Sequence, residues 1–333
     1  MIPTLSSLKF QELAEEIGAK VDIEPAWKMV GTVTFKNGKK KYWSGSIFDI
    51  NPHGAAEISK DKDFTCYFLK NAGFRVPEGD AFYSDEWALA IHSHKTKDKA
   101  VEYSDRIGYP IILKPNNGRG GTEVYEARRR DEVLPAIHNI FKKSKIARVE
   151  KRINGSDYRI LTLGGELLLA YERKPLSVEG DGKRNVITLV REKNRLLEKS
   201  GRNTTIKENI PRIKIFLMTR GYQPKYIPQK GEVIVVLPNA NLSSGGEMRD
   251  VTNIIHPSYV ELARRASKAM NLPYCGTDIM TSASISEPMQ TEPVIIEMNG
   301  HQPGFSQYAG SGDEYMERAV SAYRKLLRYM EEN

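Results

Sequence analysis

Apolar positions along the chain alternate between helical and strand spacing. Leu5, Leu8, Leu13 and Ile17 share a helical spacing, and Gly18 can end that helix. GTVTFKNGKKKYWSG then carries strand residues on both sides of Asn37-Gly38. This is the pattern of a hairpin closed by a tight primed turn, with positive φ at both central positions. Asp61 can cap a helix running through Phe64 and Phe68 to Gly73, stopped by Val76-Pro77-Glu78-Gly79. A further helix is predicted over 96–107. YPIILKP reads as a buried strand, NNGRGG as a turn and TEVYEA as a second strand. Residues 131–143 return to helical spacing and KIARVEKRI to a strand, and YRILTLGGELLLAYERKP predicts a hairpin around Gly164-Gly165.

Residues 191–215 are charged and weakly periodic, which predicts a helix and a connection across the surface. GEVIVVLP is a strand, HPSYVELARRASKAMNL an amphipathic helix, and YCGTDIMT and PVIIEMN are strands separated by the polar loop SASISEPMQTE. The last helix starts near Asp313. Strands in hairpins mixed with helices predict an α+β fold and fit a doubly wound parallel sheet less well.

Composition narrows the function classes. The 333 residues suit two domains or three lobes, and 40% hydrophobic residues supply a sizeable core. Fifty Lys and Arg against 42 Asp and Glu leave a net charge of +8. That bias suits anionic ligands and is too modest for a dedicated nucleic-acid binder. Cys66 and Cys275 can build neither a disulfide framework nor a zinc cage, and are expected as reduced core residues. No stretch approaches the roughly 20 apolar residues of a spanning helix. The N-terminal segment carries acidic residues and no continuous apolar run, so neither a signal peptide nor a membrane partner is expected, and the predicted location is cytoplasmic.

Three segments can carry chemistry. In PVIIEMN, strict alternation turns Glu297 and Asn299 to one face and Val294, Ile296 and Met298 to the other. Antiparallel pairing with YCGTDIMT can bring Asp278 beside Glu297. Two carboxylates and an amide oxygen are hard ligands suited to Mg²⁺, although a buried carboxylate paired with Arg or Lys fits Glu297 equally well. In PIILKPNNGRGGTEV, Lys114 suits a phosphate oxygen, and Gly118, Gly120 and Gly121 let backbone amides approach an anion. The same residues also fit a plain hairpin with a solvated lysine, and neither a Walker A nor a GxGxxG pattern is present. In RVEKRINGSDYRI, the strand ending near Glu150 exposes backbone groups that can read an adenine edge, with Asp157 seven residues on. Arg159, Arg173 and Arg249 are candidate donors to a negative transition state, each equally at home in a surface salt bridge. The KNGKKK, RRR and KKSK runs are expected as solvated faces.

Taken in order, these pieces resemble the ATP-grasp superfamily of carboxylate–amine ligases. From about residue 58 to 331 the chain is most similar to the ATP-grasp half of cyanophycin synthetase, and more distantly to glutathione synthetase and D-alanine–D-alanine ligase. GSDYRILTLGGELLLAYERKPLSVEGDGK, NLSSGGEMRDVT, GTDIM and IIEMNGHQPGF carry the resemblance. It implies an ATP-grasp fold with the nucleotide held between two α+β lobes. Residues 1–105 would form an N-terminal lobe, 106–157 a central lobe and 158–333 a C-terminal lobe with the metal and substrate sites. Lys62 and Lys114 would bind ATP phosphates, with Gly118, Gly120 and Gly121 closing over them. Glu150 and the backbone of Lys151 and Ile153 would hold adenine, Ile296 would lie under the ring, and Asp157 would reach the ribose. Asp278, Glu297 and Asn299 would bind Mg²⁺ or Mn²⁺. Arg173, supported by Arg159 and Arg249, would stabilise the transferred phosphoryl group.

The implied activity joins an amino acid or short peptide to an amine through an acyl phosphate, releasing ADP and phosphate; a dimer or tetramer is compatible with it. Three departures bear on substrate choice. NGHQPG holds one residue more than the usual pattern, Arg249 stands where relatives often have an apolar residue, and the second half of cyanophycin synthetase has no counterpart here. A nucleotide-binding regulator without turnover and a ligase acting on a protein terminus are the alternatives.

Overall fold

The computed structural model describes residues 4–118, 121, 123–199, 204–223, 225–301, 303–305, 308 and 313–333. Gly120 lies outside them. Among the described residues every strand pairing is antiparallel, in four sheets. The α+β expectation holds.

The main sheet sets the site. It is built from β9 (Ser156–Leu163), β10 (Glu166–Lys174), β13 (Glu247–Asp250), β14 (Tyr274–Thr281) and β15 (Val294–Asn299), in the order β13-β10-β9-β14-β15. β9 and β10 are joined by Gly164-Gly165, both with positive φ (59° and 89°), and Leu163 pairs with Glu166 across the turn. That is the two-residue hairpin the sequence predicts. One face of the sheet, through Tyr158, Ile160, Ala170 and Ile279, packs on α9 (Pro257–Ala269) and on Leu69 of α3 (Lys62–Asn71). The other face, through Leu161, Tyr171 and Tyr274, packs on α10 (Asp313–Glu332) and on the N-terminal segment.

That N-terminal segment is α1 (Leu5–Glu16) and a meander of β1 (Lys20–Ile23), β2 (Val30–Thr34), β3 (Lys40–Ser44) and β4 (Ile47–Phe48), followed by the short α2 (His53–Ile58). Phe10, Val33, Trp43 and Phe48 join the core of the main sheet. The hairpin between β2 and β3 forms, but its turn differs from the expected one. Gly38 alone has positive φ (81°), and the Phe35 amide donates to the Lys39 carbonyl. A three-residue loop closed by one left-handed glycine therefore replaces the two-residue primed turn.

The central sheet contains β5 (Gly79–Tyr83), β6 (Ile111–Pro115), β7 (Tyr125–Ala127) and β8 (Ile146–Lys151), in the order β5-β8-β6-β7. It is covered by α5 (Lys97–Ile107) and α6 (Val133–Phe141), while α4 (Asp85–Ala90) follows β5. Phe82, Ala100 and Val101 share its core with Ile111, Val149 and Ile137. The boundary expected at 105/106 is thus corrected: residues 79–107 belong to the central lobe, because β5 hydrogen-bonds along β8. Residues 5–48 pack instead on the C-terminal sheet.

Residues 186–219 also depart from expectation. α7 (Val186–Lys199) and α8 (Ile206–Thr219) pack with β11 (Ser177–Glu179) and β12 (Val233–Val235) around a small separate core of Leu176, Val186, Val190, Ile213, Leu217 and Ile234. Only one stripe of each helix is apolar, and charge on the remaining faces hides that stripe from a window average. Cys66 and Cys275 are buried free thiols. Ile213→Ala should lower the free energy of unfolding by about 2–4 kcal/mol in urea denaturation, since Ile213 is fully buried. A surface connection would yield within about 0.5 kcal/mol of zero.

Candidate active site

A cavity of about 600 Å³ opens where the main sheet faces the central one. Every sequence-predicted site residue among those described lines it, except Arg249.

Four charged side chains occupy the buried face of the main sheet. β9, β10 and β14 lie side by side, so Arg159 stands opposite both Tyr171 and Asp278, and Arg173 opposite Asp157. Residues two apart share a face, which puts Asp157 and Arg159 on the side of Tyr171 and Arg173. The Arg159 guanidinium donates to both Asp278 oxygens, from Nε at 2.6 Å and from Nη2 at 2.7 Å. Arg173 donates to Asp157 Oδ1 at 2.6 Å and reaches Asp278 Oδ2 at 3.0 Å. Burial alone would raise the Asp278 pKa, but the two guanidiniums more than reverse this and hold it below the ordinary carboxylate range. For Asp157, burial followed by the Asp278 charge outweighs Arg173, and its pKa is raised. Asp157 lines the cavity while paired with Arg173, so a ribose contact would have to share its oxygens with that arginine.

Arg249 lies outside this group. It pairs in register with Glu172, one residue from Arg173, and so projects from the opposite face. There it donates to Glu172 at 2.8 Å and is 53% exposed.

The strand carrying Glu297 contains a feature that alternation could not reveal. Asp278 pairs with Glu297, but Ile279 pairs with Ile295, so Ile296 is an extra residue in a β-bulge. Ile295 and Met298 point into the core, while Ile296, Glu297 and Asn299 all line the cavity. The expected apolar face of Val294, Ile296 and Met298 is thereby corrected, and Ile296 becomes available as a base platform.

Lys62 begins α3, whose Asp61 cap accepts from the Phe64 amide at 2.9 Å. Its Nζ donates to the Gly118 carbonyl at 2.9 Å and lies 3.4 Å from Glu297 Oε1. The glycine turn and the Glu297 carboxylate thus meet on one lysine. Lys114, on β6, pairs with Glu150 on β8, and both are buried. Arg148 donates to the other Glu150 oxygen at 3.1 Å and also holds Asp63. Sequence reasoning missed Arg148: it is 2% exposed in the middle of a strand, and nothing in its local pattern marks an inward arginine. The Lys151 amide donates to the Glu78 carbonyl at 2.8 Å, and Lys151 and Ile153 both line the cavity.

The donor set suits a hard divalent cation in part. Among the described residues no group of three or more His, Cys, Asp or Glu gathers. Mg²⁺ needs only one or two carboxylates when phosphate oxygens complete its shell. Glu297 fits. So does Asn299, whose amide nitrogen donates to the Gly276 carbonyl and to Asp278, both at 3.3 Å, leaving its oxygen as the ligand atom. Asp278 would have to share oxygens already held by Arg159 and Arg173.

Residues 86–156 match the ATP-binding domain of the carbamoyl-phosphate synthase L chain. Cyanophycin synthetase of Geminocystis herdmanii is 32% identical over 260 residues, 76% of this chain and 28% of that protein. The glutathione biosynthesis bifunctional protein GshAB of Clostridium perfringens is 30% identical over 250 residues, 73% of this chain and 31% of that protein. The chain thus spans about a third or less of the length of these relatives. The solved bifunctional glutathione synthetase of Pasteurella multocida superposes with a TM-score of 0.56 at 23% identity, covering 97% of this chain and 44% of that one. The fold is therefore that of the ATP-grasp enzymes. The chain itself belongs to the ATP-grasp ligase family.

The buried quartet has a measurable consequence. Because the folded pKa of Asp278 is depressed, its stabilisation is present above the unfolded value and is lost as pH falls through the folded one. Asp157, with a raised pKa, acts in the opposite sense and costs stability as pH rises and it ionises. At pH 7, Asp278→Asn should cost about 3–5 kcal/mol by leaving two buried guanidiniums under-compensated, and Asp157→Asn clearly less, in urea unfolding. The reverse ranking would overturn the assignment.

Proposed function

We propose that this protein is an ATP-dependent carboxylate–amine ligase acting on an amino acid or short peptide. One observation carries the reading: Lys62, Lys114 and the glycine turn face Glu297 and Asn299 across a single cavity backed by the buried Arg159 and Arg173.

A carboxylate resists attack by an amine until one of its oxygens becomes a leaving group. The γ-phosphoryl of ATP is transferred to that oxygen, giving an acyl phosphate and ADP. The amine then attacks the carbonyl carbon and loses a proton, and phosphate departs as the amide bond forms. Lys62 and Lys114 neutralise phosphate charge, and Arg173 offers a fixed cation to the equatorial oxygens without reorganisation. Lys114 is held by Glu150 and would be shared with the phosphates. Mg²⁺, held by Glu297 and Asn299 together with phosphate oxygens, would offset the charge that develops during transfer. Ile112 and Ile296 supply apolar walls for the base, and the Lys151–Ile153 backbone supplies its polar edge. The turn over the phosphates excludes water, which would hydrolyse the acyl phosphate.

The experiment is a mass-resolved screen of amino-acid and peptide pairs with ATP and Mg²⁺, reading ADP, phosphate and new amide products. Glu297→Gln should reduce product formation by about 100-fold or more while the unfolding midpoint stays close to wild type, because Glu297 is only partly buried. Unchanged turnover in Glu297→Gln would remove it from the metal site. Nucleotide binding without turnover on any pair would replace the ligase with a regulator.

A further inference from the structure

We propose that the cleft between the central sheet and the subdomain of α7 and α8 is a second anion-binding site, where Arg128, Arg152 and Arg220 receive a small oxyanion carrying two or more negative charges on phosphoryl or carboxylate groups. The site goes beyond the ligase reading and does not depend on it. It shares Arg152, Pro175 and Pro238 with the larger cavity, but neither Lys62 nor Glu297 lines it.

The three arginines come from three elements. Arg128 follows β7, Arg152 follows β8, and Arg220 caps the C-terminal end of α8. All three converge on Glu126, in the middle of β7. Arg128 Nε donates to Glu126 Oε1 at 2.8 Å, and Arg152 Nε lies 3.2 Å from Oε2. Arg220 Nη2 donates to both oxygens, at 3.1 and 2.9 Å. The four side chains border a cavity of about 540 Å³, a size that suits a small molecule.

Charge is unbalanced in this cleft. Among the described residues Glu126 is the one carboxylate lining it, so three cations share a single anion. Among the same residues none of the three guanidiniums forms an ion pair with another carboxylate. The Glu126 side chain is 2% exposed, whereas those of Arg128, Arg152 and Arg220 keep 44%, 34% and 29% of their surface open. An entering ligand therefore meets guanidinium and finds the carboxylate enclosed behind it. The buried Nε of Arg220 has no hydrogen-bond partner. Burial pushes the Arg220 pKa down; Glu126 opposes this, and repulsion from Arg128 and Arg152 adds to it. Phe216, Val235 and Leu237 give the cleft apolar walls, and low-dielectric walls around charge of one sign concentrate its field. A ligand with two negative charges matches the two positive charges left over, and guanidinium groups donate in pairs to phosphoryl and carboxylate oxygens alike.

The test is calorimetric titration of the full chain with pyrophosphate and with citrate, in low-salt buffer free of Mg²⁺ and nucleotide. Wild type should bind at least one of them; preference for pyrophosphate assigns a phosphoryl ligand and preference for citrate a carboxylate one. Arg128→Gln, at a largely open side chain, should fold and bind about tenfold more weakly. Glu126→Gln removes the one competing anion and should bind about tenfold more tightly, with an unfolding midpoint that the anion raises more than in wild type. Should Glu126→Gln not fold, Arg128→Gln decides by itself. Failure of wild type to bind either anion, or equal affinity in wild type and Arg128→Gln, would overturn the site. Weakening by Lys62→Ala with Arg128→Gln unaffected would place the anion in the larger cavity and overturn it equally.

Discussion

The arrangement of the whole site depends on two arginines and two aspartates buried on one face of the main sheet. Charges in such a place are costly unless each is answered by an opposite charge in good geometry. Here the answer is specific. Asp278 accepts from Nε and Nη2 of Arg159 and is reached by Nη2 of Arg173, while Arg173 donates to Asp157 from Nε and from that same Nη2. The pairing fixes β9, β10 and β14 in one register, because sliding any of these strands by one residue would send its charge into the apolar core on the other face. The same cations line the cavity, so under the proposed ligase reading folding and chemistry would draw on one set of charges.

The bulge at Ile296 converts an ordinary edge strand into a ligand wall. A regular strand would offer the cavity either its carboxylate or its apolar side chain. With one extra residue, Ile296 and Glu297 both face inward while Ile295 and Met298 stay buried in the core. The bulge places an apolar side chain directly beside a carboxylate. A nucleotide needs both within a few ångströms, one for its base and one for its phosphates.

The glycine turn is held differently from the rest. Neighbouring side chains grip two of its backbone carbonyls. Lys62 reaches Gly118 from the α3 side and Arg212 reaches Gly121 from α8.

Local chemistry alone fixed much of this protein. Asp61 as a cap, Gly164-Gly165 as a two-residue turn and the pairing of Asp278 with Glu297 all follow from turn preferences, capping and strand period, which are properties of neighbouring residues. The family resemblance, carried by short motifs, brought together residues that spacing could not relate. Tertiary structure decided the rest. Arg249 and Arg173 are indistinguishable in sequence, yet strand register puts them on opposite faces. Ile296 faces the cavity only because β15 is bulged against β14. Arg148 and Arg212 carry no local mark of burial, yet other elements bury both. In each case the deciding quantity is which distant strand or helix supplies the neighbour, and a chain met one residue at a time does not carry it.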